Sequence, residues 1–319
     1  MVSATDILDT VLDRAVVPGY SKIGYAVRSR FWPADPEPGS LEGCTALVTG
    51  AASGLGKATT AGLAALGATV HMLVRNPEKG EQARLEVAEQ VPGAHLELQE
   101  CDVSSLASVR GFAERFSAAH GSLDVLVHNA GTLPPERRVT DEGNEVTLAT
   151  HVLGPHLLTA LLRPALAAAK GRVVFVTSGG MYTATLHPED PQYEAGEYSG
   201  AKAYARTKRM QVVLAEQWAG ELKPDGVAVH SAHPGWADTP GVTASLPGFN
   251  RVMGPLLRTP EQGADTIVWL CAAPQGREGS GGFWHDRRRR PTHYLPWQGD
   301  DPVARHALWA YCVAETHLP

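Results

Sequence analysis

Two tyrosines in the stretch YSGAKAYARTK, Tyr198 and Tyr204, are each followed four residues later by a lysine, Lys202 and Lys208. On a helix that spacing puts phenol and ammonium on one face, where the cation favours phenolate over phenol. An unperturbed phenol, with a pKa of about 10, exchanges protons poorly near neutrality; a tuned one exchanges them well. Two such pairs do not serve one site, because on a continuous helix they would lie about 9 Å apart along the axis and about 120° apart around it. Ser199-Gly200 reads as a helix start with Ser199 as N-cap. That start leaves Tyr198 in the preceding loop, near the mouth of a site, and places Tyr204 and Lys208 inside the helix.

A second chemical feature is the turn Thr49-Gly50-Ala51-Ala52-Ser53-Gly54-Leu55-Gly56, which follows the apolar run CTALVTG. Glycines between a strand and a helix let backbone approach a pyrophosphate resting on the helix N-terminus. The spacing is not G-x-G-x-x-G, and GLGKAT places Ala58 where a P-loop would need Ser or Thr for magnesium. A glycine cluster by itself reads equally well as a tight turn. The next strand ends in Val74-Arg75-Asn76. It offers no carboxylate for a ribose 2′-hydroxyl and one guanidinium for a 2′-phosphate, so the expected cofactor is NADP(H).

These residues need a scaffold, and the pattern from Cys44 onward supplies one. Apolar runs CTALVTG, ATVHMLV, AHLELQECDV, DVLVHNAG, GRVVFVTS and GVAVHSAHPG alternate with helical patterns. The helices are expected to run to Leu66 after the glycine turn, over Glu78 to Gln90, Ser104 to His120 and Glu142 to Ala169, and onward from Ser199. Strands alternating with helices of ten or more residues imply βαβ units, hence one doubly wound α/β domain: a parallel sheet with helices on both faces. That domain covers residues 41–319, ending in a C-terminal tail.

Residues 1–40 form an extension in which Ile7, Leu8, Val11, Leu12, Ala15 and Val16 recur at helical spacing before Pro18-Gly19. The favoured expectation is that this stripe docks on the main domain, the other that it touches a membrane surface or partner. The run Arg287-Arg288-Arg289-Arg290 is expected to be a solvated turn. A net charge of −6 and a pI near 6.1 exclude a generally basic nucleic-acid binder. Four scattered cysteines without zinc-like spacing speak for a reduced compartment and against a disulfide framework or structural metal. No run of 18 apolar residues and no signal-like start is seen, so the expectation is a cytoplasmic protein that does not span a membrane.

The ordered set T-G-x-x-x-G-x-G at Thr49 to Gly56, Asp102-Val103, Asn129-Ala130-Gly131, Ser178, Y-x-x-x-K, and Pro234-Gly235 with Thr239 beyond resembles the short-chain dehydrogenase/reductase superfamily. It covers roughly Leu41 to Thr239. The strings VTSGGM, HPGWADTPGV, EQGADTIVWL and DRRRRPTHYLPW resemble a narrower group within it, a likeness that extends over the N-terminal extension and says little about substrate. The resemblance implies a Rossmann-type fold with NADP(H) lined by Gly50, Ser53, Gly54, Leu55, Gly56 and Arg75. Asp102 and Val103 would meet the adenine edge, with Asn129, Ala130 and Gly131 supporting strand and cofactor. Lys208 would hold the nicotinamide ribose beside Tyr204, and Pro234 and Thr239 the carboxamide end. Asp102 also reads as part of a helix N-terminus, Asn129 as a strand-end turn residue, and Ser178 as a strand-terminating hydroxyl.

The chemistry so implied is hydride exchange between nicotinamide and a carbonyl carbon. Tyr204 would supply the proton, Lys208 would lower its pKa, and Ser178 would orient the carbonyl oxygen. The family's spacing from lysine to Pro-Gly fits Lys208 better than Lys202. Where relatives carry an asparagine that holds a relay water, this chain has His151, which is expected either to take that role or to be a core histidine. The substrate walls are expected from GGMYTATLHPED and DTPGVTASLPGFNRVMGPLL. Leu246, Phe249, Val252, Met253, Leu256 and Leu257 make the second apolar, which suits a lipophilic carbonyl or alcohol. Self-association is left open. The rival readings are an NADPH-binding sensor or scaffold with little turnover and, third, an epimerase or dehydratase.

Overall fold

In a computed structural model of the protein, residues 4–239, 248, 251, 253–295 and 297–318 are described. The six expected strands form, as β1 (Thr45–Thr49), β2 (Thr69–Val74), β3 (His95–Glu100), β4 (Val125–His128), β5 (Arg172–Val176) and β6 (Ala228–Ala232). A short hairpin, β7 (Phe283–His285) and β8 (Arg288–Arg290), extends them to an eight-stranded sheet of order β3-β2-β1-β4-β5-β6-β7-β8. Only the β7–β8 pairing is antiparallel. The interior strands TALVT, TVHMLV, VLVH and RVVFV are almost wholly buried because helices cover both faces, whereas the edge strand HLELQE is partly exposed.

On one face Leu47, Leu73 and Phe175 pack beneath α6 (Leu106–Ala119), α8 (Gly154–Ala169) and α9 (Gly200–Glu221). On the other, Val48, Val70 and Met72 pack beneath α4 (Gly54–Ala65), α5 (Pro77–Gln90) and α10 (Pro260–Ala272). The chain leaves β1 toward β2 and β3, then returns to pair β4 on the other side of β1. Strand order therefore reverses between β1 and β4, and the crevice at their carboxyl ends is where ligands bind in such sheets.

The helix expected from Glu142 begins later, at the single turn α7 (Val146–Leu148), passes a π-helical stretch Ala149–Leu153 and continues as α8. Glu145 stops it from starting earlier, because its carboxylate caps the Thr147 and Leu148 N–H groups at 2.9 and 2.7 Å. Glu142 instead reaches the Leu106 and Ala107 N–H groups at the start of α6. The whole span Val146–Ala169 is long and apolar enough by composition to cross a bilayer, but it is mostly buried as the central core helix.

Two expectations about charge and docking are overturned. The N-terminal extension forms three short helices, α1 (Ala4–Arg14), α2 (Val16–Tyr20) and α3 (Lys22–Arg28), and the chain stays helical through Pro18-Gly19. Its apolar stripe does not dock: Ile7, Leu8 and Val11 are exposed. The acidic face docks instead, with Asp9 bonded to Arg28 and Arg290, and Asp6 to Arg288. The arginine run is accordingly no solvated turn. Arg287 and Arg290 are buried, Arg287 against Asp265 and Asp35 and Arg290 against Asp9 and Asp13. The C-terminal tail closes the domain with α11 (Pro302–Glu315), whose Leu308 and Cys312 enter the core.

Candidate active site

One cleft of about 820 Å³ opens along the carboxyl ends of the strands at the switch point. The turn after β1 forms its floor. Gly50 has a left-handed φ of 66°, and a side-chain carbon there would press on Ala130. At Gly56 such a carbon would collide with the Gly50 carbonyl and the Asn129 amide, so glycine is required for α4 to sit this close. Ser53 occupies the N-cap of α4 without bonding the helix through its side chain, and Ser53, Gly54 and Leu55 all line the cleft. The first N–H groups of α4 are thus available to an anionic group. These residues fit a dinucleotide pyrophosphate.

Asn129, at the end of β4, donates through its side chain to the Thr49 carbonyl at 3.0 Å. Its own N–H and that of Ala130 donate to the Thr49 hydroxyl, both at 2.9 Å. This lattice fixes the β1 turn against β4, and Asn129, Ala130 and Gly131 line the cleft above it. Asp102 and Val103 lie beyond β3; one Asp102 oxygen accepts from the Ser104 N–H and hydroxyl, while the other lies 4.0 Å from the Arg75 guanidinium. Arg75 is largely exposed and lines the same cleft, as do Pro234 and Thr239. All the expected cofactor residues except Gly56 are therefore wall residues, and Gly56 lies behind the turn.

Ser178, Tyr204 and Lys208 line one end of the cleft. Ser199 is the N-cap residue of α9, as expected, so Tyr204 and Lys208 lie one turn apart within that helix. Ser178 follows β5, its hydroxyl accepting the Gly180 N–H at 3.2 Å, and it lines the cleft together with Tyr204. The Lys208 ammonium donates to the Val176 carbonyl at 2.8 Å and to Gln211 Oε1 at 2.9 Å, and stands 5.4 Å from the centre of the Tyr204 ring. Tyr198 is elsewhere: its phenol donates to Glu145 at 3.0 Å, it stays outside the cleft lining, and Lys202 is exposed. Tyr198 is thus not part of the lining; its phenol is held by the buried carboxylate of Glu145, next in the chain to the cleft-lining Val146.

The electrostatics of the pair also differ from the simple picture. Burial raises the Tyr204 pKa, with the Ser178 hydroxyl acting in the other direction, and the same burial pulls Lys208 down to about 7. The lysine does not outweigh burial because its own charge is strongly disfavoured there. For Lys208 the folded value lies below the unfolded one, so between about pH 7 and pH 10 the unfolded chain holds a proton the folded chain lacks. Stability should therefore rise with pH across this window. Lys208→Met is expected to abolish that rise, so the melting-temperature difference between variant and parent should be more favourable to the variant at pH 6 than at pH 9. A difference independent of pH would show that burial does not perturb Lys208.

His151 is fully buried on the π-helical stretch. Its Nε2 accepts the Thr132 N–H at 3.0 Å, which leaves the proton on Nδ1, 2.8 Å from the Thr207 hydroxyl. Burial and the nearby Lys208 charge hold its pKa well below the ordinary histidine value. Both nitrogens are spent on protein partners, and the ring meets Tyr204 edge-on at 5.4 Å. That geometry makes His151 a strut for the tyrosine-bearing helix. His151→Ala is expected to leave the pH profile of turnover unshifted and to cost about 1–3 kcal/mol of stability through the orphaned Thr132 N–H; a displaced pH profile would reinstate the relay.

Some site residues escaped notice in the sequence. Gln211 anchors Lys208 from three residues further along α9, a spacing that could have flagged it. Thr177 ties the end of β5 to the Lys208 carbonyl, and Trp236 lines the cleft directly after Pro234-Gly235. The apolar wall proposed from Leu246, Phe249 and Val252 lies outside the described residues. Met253, Leu256 and Leu257 are described, and none of them lines the cleft. Away from the cleft, His71, Glu97 and His120 bring ligand atoms within 4.8 Å of one another, a grouping that cysteine spacing did not announce. Both imidazoles there pack against Phe116.

Comparison with known proteins agrees with this geometry. Residues 44–247 match the short chain dehydrogenase family. Dehydrogenase/reductase SDR family member 12 of Bos taurus is 41% identical over 86% of this chain and 86% of its own length. Retinol dehydrogenase 11 of Mus musculus is 31% identical over 84% and 85%. A crystal structure from Beutenbergia cavernae, assigned as an NAD(P) dependent gluconate 5-dehydrogenase and holding NADP, superposes with a TM-score of 0.63 at 26% identity, covering 78% of this chain and 97% of that one. The chain belongs to the short-chain dehydrogenase family, oxidoreductases that use NAD(P) to interconvert an alcohol and a carbonyl.

Proposed function

We propose that the protein is an NADP(H)-dependent oxidoreductase acting on a lipophilic carbonyl or alcohol. The observation that carries the reading is the convergence of Ser178, Tyr204 and Lys208 at one end of a cleft whose floor is the Gly50–Gly56 turn. In this reading the cofactor supplies or accepts hydride. The chain's own residues do the rest: Ser178 orients the carbonyl oxygen, Tyr204 delivers its proton, and Lys208, held by Val176 and Gln211, sits behind the phenol. A buried phenol with a raised pKa is protonated near neutrality, the state needed to protonate a nascent alkoxide.

The preference for the 2′-phosphate rests on Arg75, whose side chain is 75% exposed in the cleft wall, and on Lys79 in the same wall. Among the described residues Asp102 is the one carboxylate of that wall, and Arg75 faces it. The lipophilic substrate is supported by the name of the retinol dehydrogenase relative and by Leu133, Val146 and Trp236 in the lining. Four unpaired cysteines support a reducing, cytosolic setting.

The test is NADPH and NADH consumption over a panel of apolar ketones, aldehydes and polar sugars, for the parent and Arg75→Asp. The parent is expected to favour NADPH and apolar carbonyls. The variant should lose about 10- to 100-fold in kcat/KM with NADPH, the effect of removing one charge-assisted pair, and improve with NADH. An unchanged preference in Arg75→Asp would remove the cofactor assignment, and faster turnover of sugars the substrate class.

A further inference from the structure

The N-terminal helices separate their charges in an unusual direction. Between residues 4 and 34 the acids are Asp6, Asp9 and Asp13, which share one face of α1. All three turn toward the domain: Asp6 lies 2.7 Å from Arg288, Asp9 2.5 Å from Arg290, and Asp13 3.6 Å from Arg290. The segment is thus fastened by ion pairs, and its apolar side is left over. Ile7 and Val11 are each 58% exposed and Leu8 42%, and Val16 and Val17 continue the exposed series into α2.

Apart from Asp6, half-exposed beside Arg288, the exposed charges along this segment are cationic: Arg14, Lys22 and Arg30. Arg14 also reaches across to the Tyr294 carbonyl, which brings in a second exposed apolar stretch. There Leu295 is 41% and Trp297 79% exposed. An outward tryptophan beside aliphatic side chains and a cationic fringe, on a chain whose net charge is −6, matches the headgroup region of an anionic bilayer.

We propose that α1 and α2, with Lys22, Arg30 and Trp297, form a docking face for an anionic phospholipid surface. A second copy of the chain fits less well. An isologous contact would set this cationic fringe against itself, whereas a bilayer of acidic lipids offers the opposite charge. The face also adjoins the cleft wall, because the Tyr20 carbonyl at the end of α2 accepts the N–H of Trp236, which lines the cleft. Docking would therefore bring the substrate end close to the lipid phase. The proposal itself stands whatever the enzyme's substrate is.

The experiment is co-sedimentation of the full chain with phosphatidylcholine vesicles and with phosphatidylserine-rich vesicles, at low and high salt, beside sedimentation velocity without lipid. The parent should partition onto the acidic vesicles at least about tenfold more than onto neutral ones and be released by salt. The double variant Ile7→Asp/Val11→Asp should lose about tenfold or more. A separate pair, Lys22→Glu/Arg30→Glu, should lose a similar factor through charge alone, each variant keeping the parent's melting temperature. A parent that stays in the supernatant with acidic vesicles at low salt overturns the proposal. So does binding indifferent to both variants. Concentration-dependent dimerisation abolished by Ile7→Asp/Val11→Asp, without vesicle binding, would hand the face to a second copy.

Discussion

Tyr204→Phe is expected to lower kcat for carbonyl reduction by about 10²–10⁴-fold, while Tyr198→Phe leaves it within about threefold of the parent. The two phenols are equally spaced from lysines, but their surroundings differ. Tyr204 lines the cleft with Ser178, one turn before a lysine whose ammonium is pinned by Val176 and Gln211. The Tyr198 phenol is spent on Glu145, and burial pushes its pKa up to about 12. Removing the Tyr204 hydroxyl takes away the proton donor without altering the ring that packs on His151, so folding and NADPH affinity should be unchanged. A KM left alone with kcat collapsed would mark an interaction made only in the transition state. Loss of turnover in Tyr198→Phe, with Tyr204→Phe active, would mean the cleft described here is not the one where reduction occurs.

The sheet and the cleft were legible because their signals are local. Six strands could be read from runs such as TALVT and RVVFV, and the helix start at Ser199 followed from one capping residue. The family's ordered motif then put the cofactor residues in register, and all but Gly56 share one wall. What failed depended on partners far along the chain. Nothing near Arg290 announces that Asp9 and Asp13, some 280 residues earlier, will pair with it in a buried setting, nor that Asp265 and Asp35 will do the same for Arg287, so a run of four arginines reads as solvent-exposed. Conversely, α1 reads as a helix that will bury its leucines and valines, because apolar burial is the common way to dock. Here buried arginines on the domain demand acids, and the helix rotates to supply them. His151 shows the same limit at smaller scale: its place in the motif was visible, but its two hydrogen-bond partners were not.

Asp286→Ala is expected to be the most destabilising of the single changes discussed, by about 3–5 kcal/mol, because it strands buried cations. The carboxylate sits at the β7–β8 turn with a left-handed φ of 53° and is almost completely buried. It accepts from both Arg258 nitrogens at 2.6 and 2.9 Å and from Arg28 at 2.8 Å, with His285 at 3.3 Å. Burial would raise the Asp286 carboxyl, but the Arg258 and Arg28 guanidiniums, with the imidazole beside them, hold it far below the ordinary range, so it remains charged at any ordinary pH. For a carboxylate depressed in this way, the stabilisation is fully present above the unfolded value of about 3.9 and drains away as pH falls below it. Arg258 and Arg28 also donate to the Gly19 carbonyl, and Arg258 lies so close to Gly235 that a side chain there would collide with it. Freed of Asp286, they should release the N-terminal helices and the Pro234–Trp236 wall together. The urea midpoint should fall at nearly constant slope, and proteolysis between α1 and α3 should accelerate. By contrast, Asp6→Ala, which removes a half-exposed pair with Arg288, should cost under about 1 kcal/mol. Equal, small effects from both substitutions would mean that Asp286 is not what holds the N-terminal helices beside the cleft.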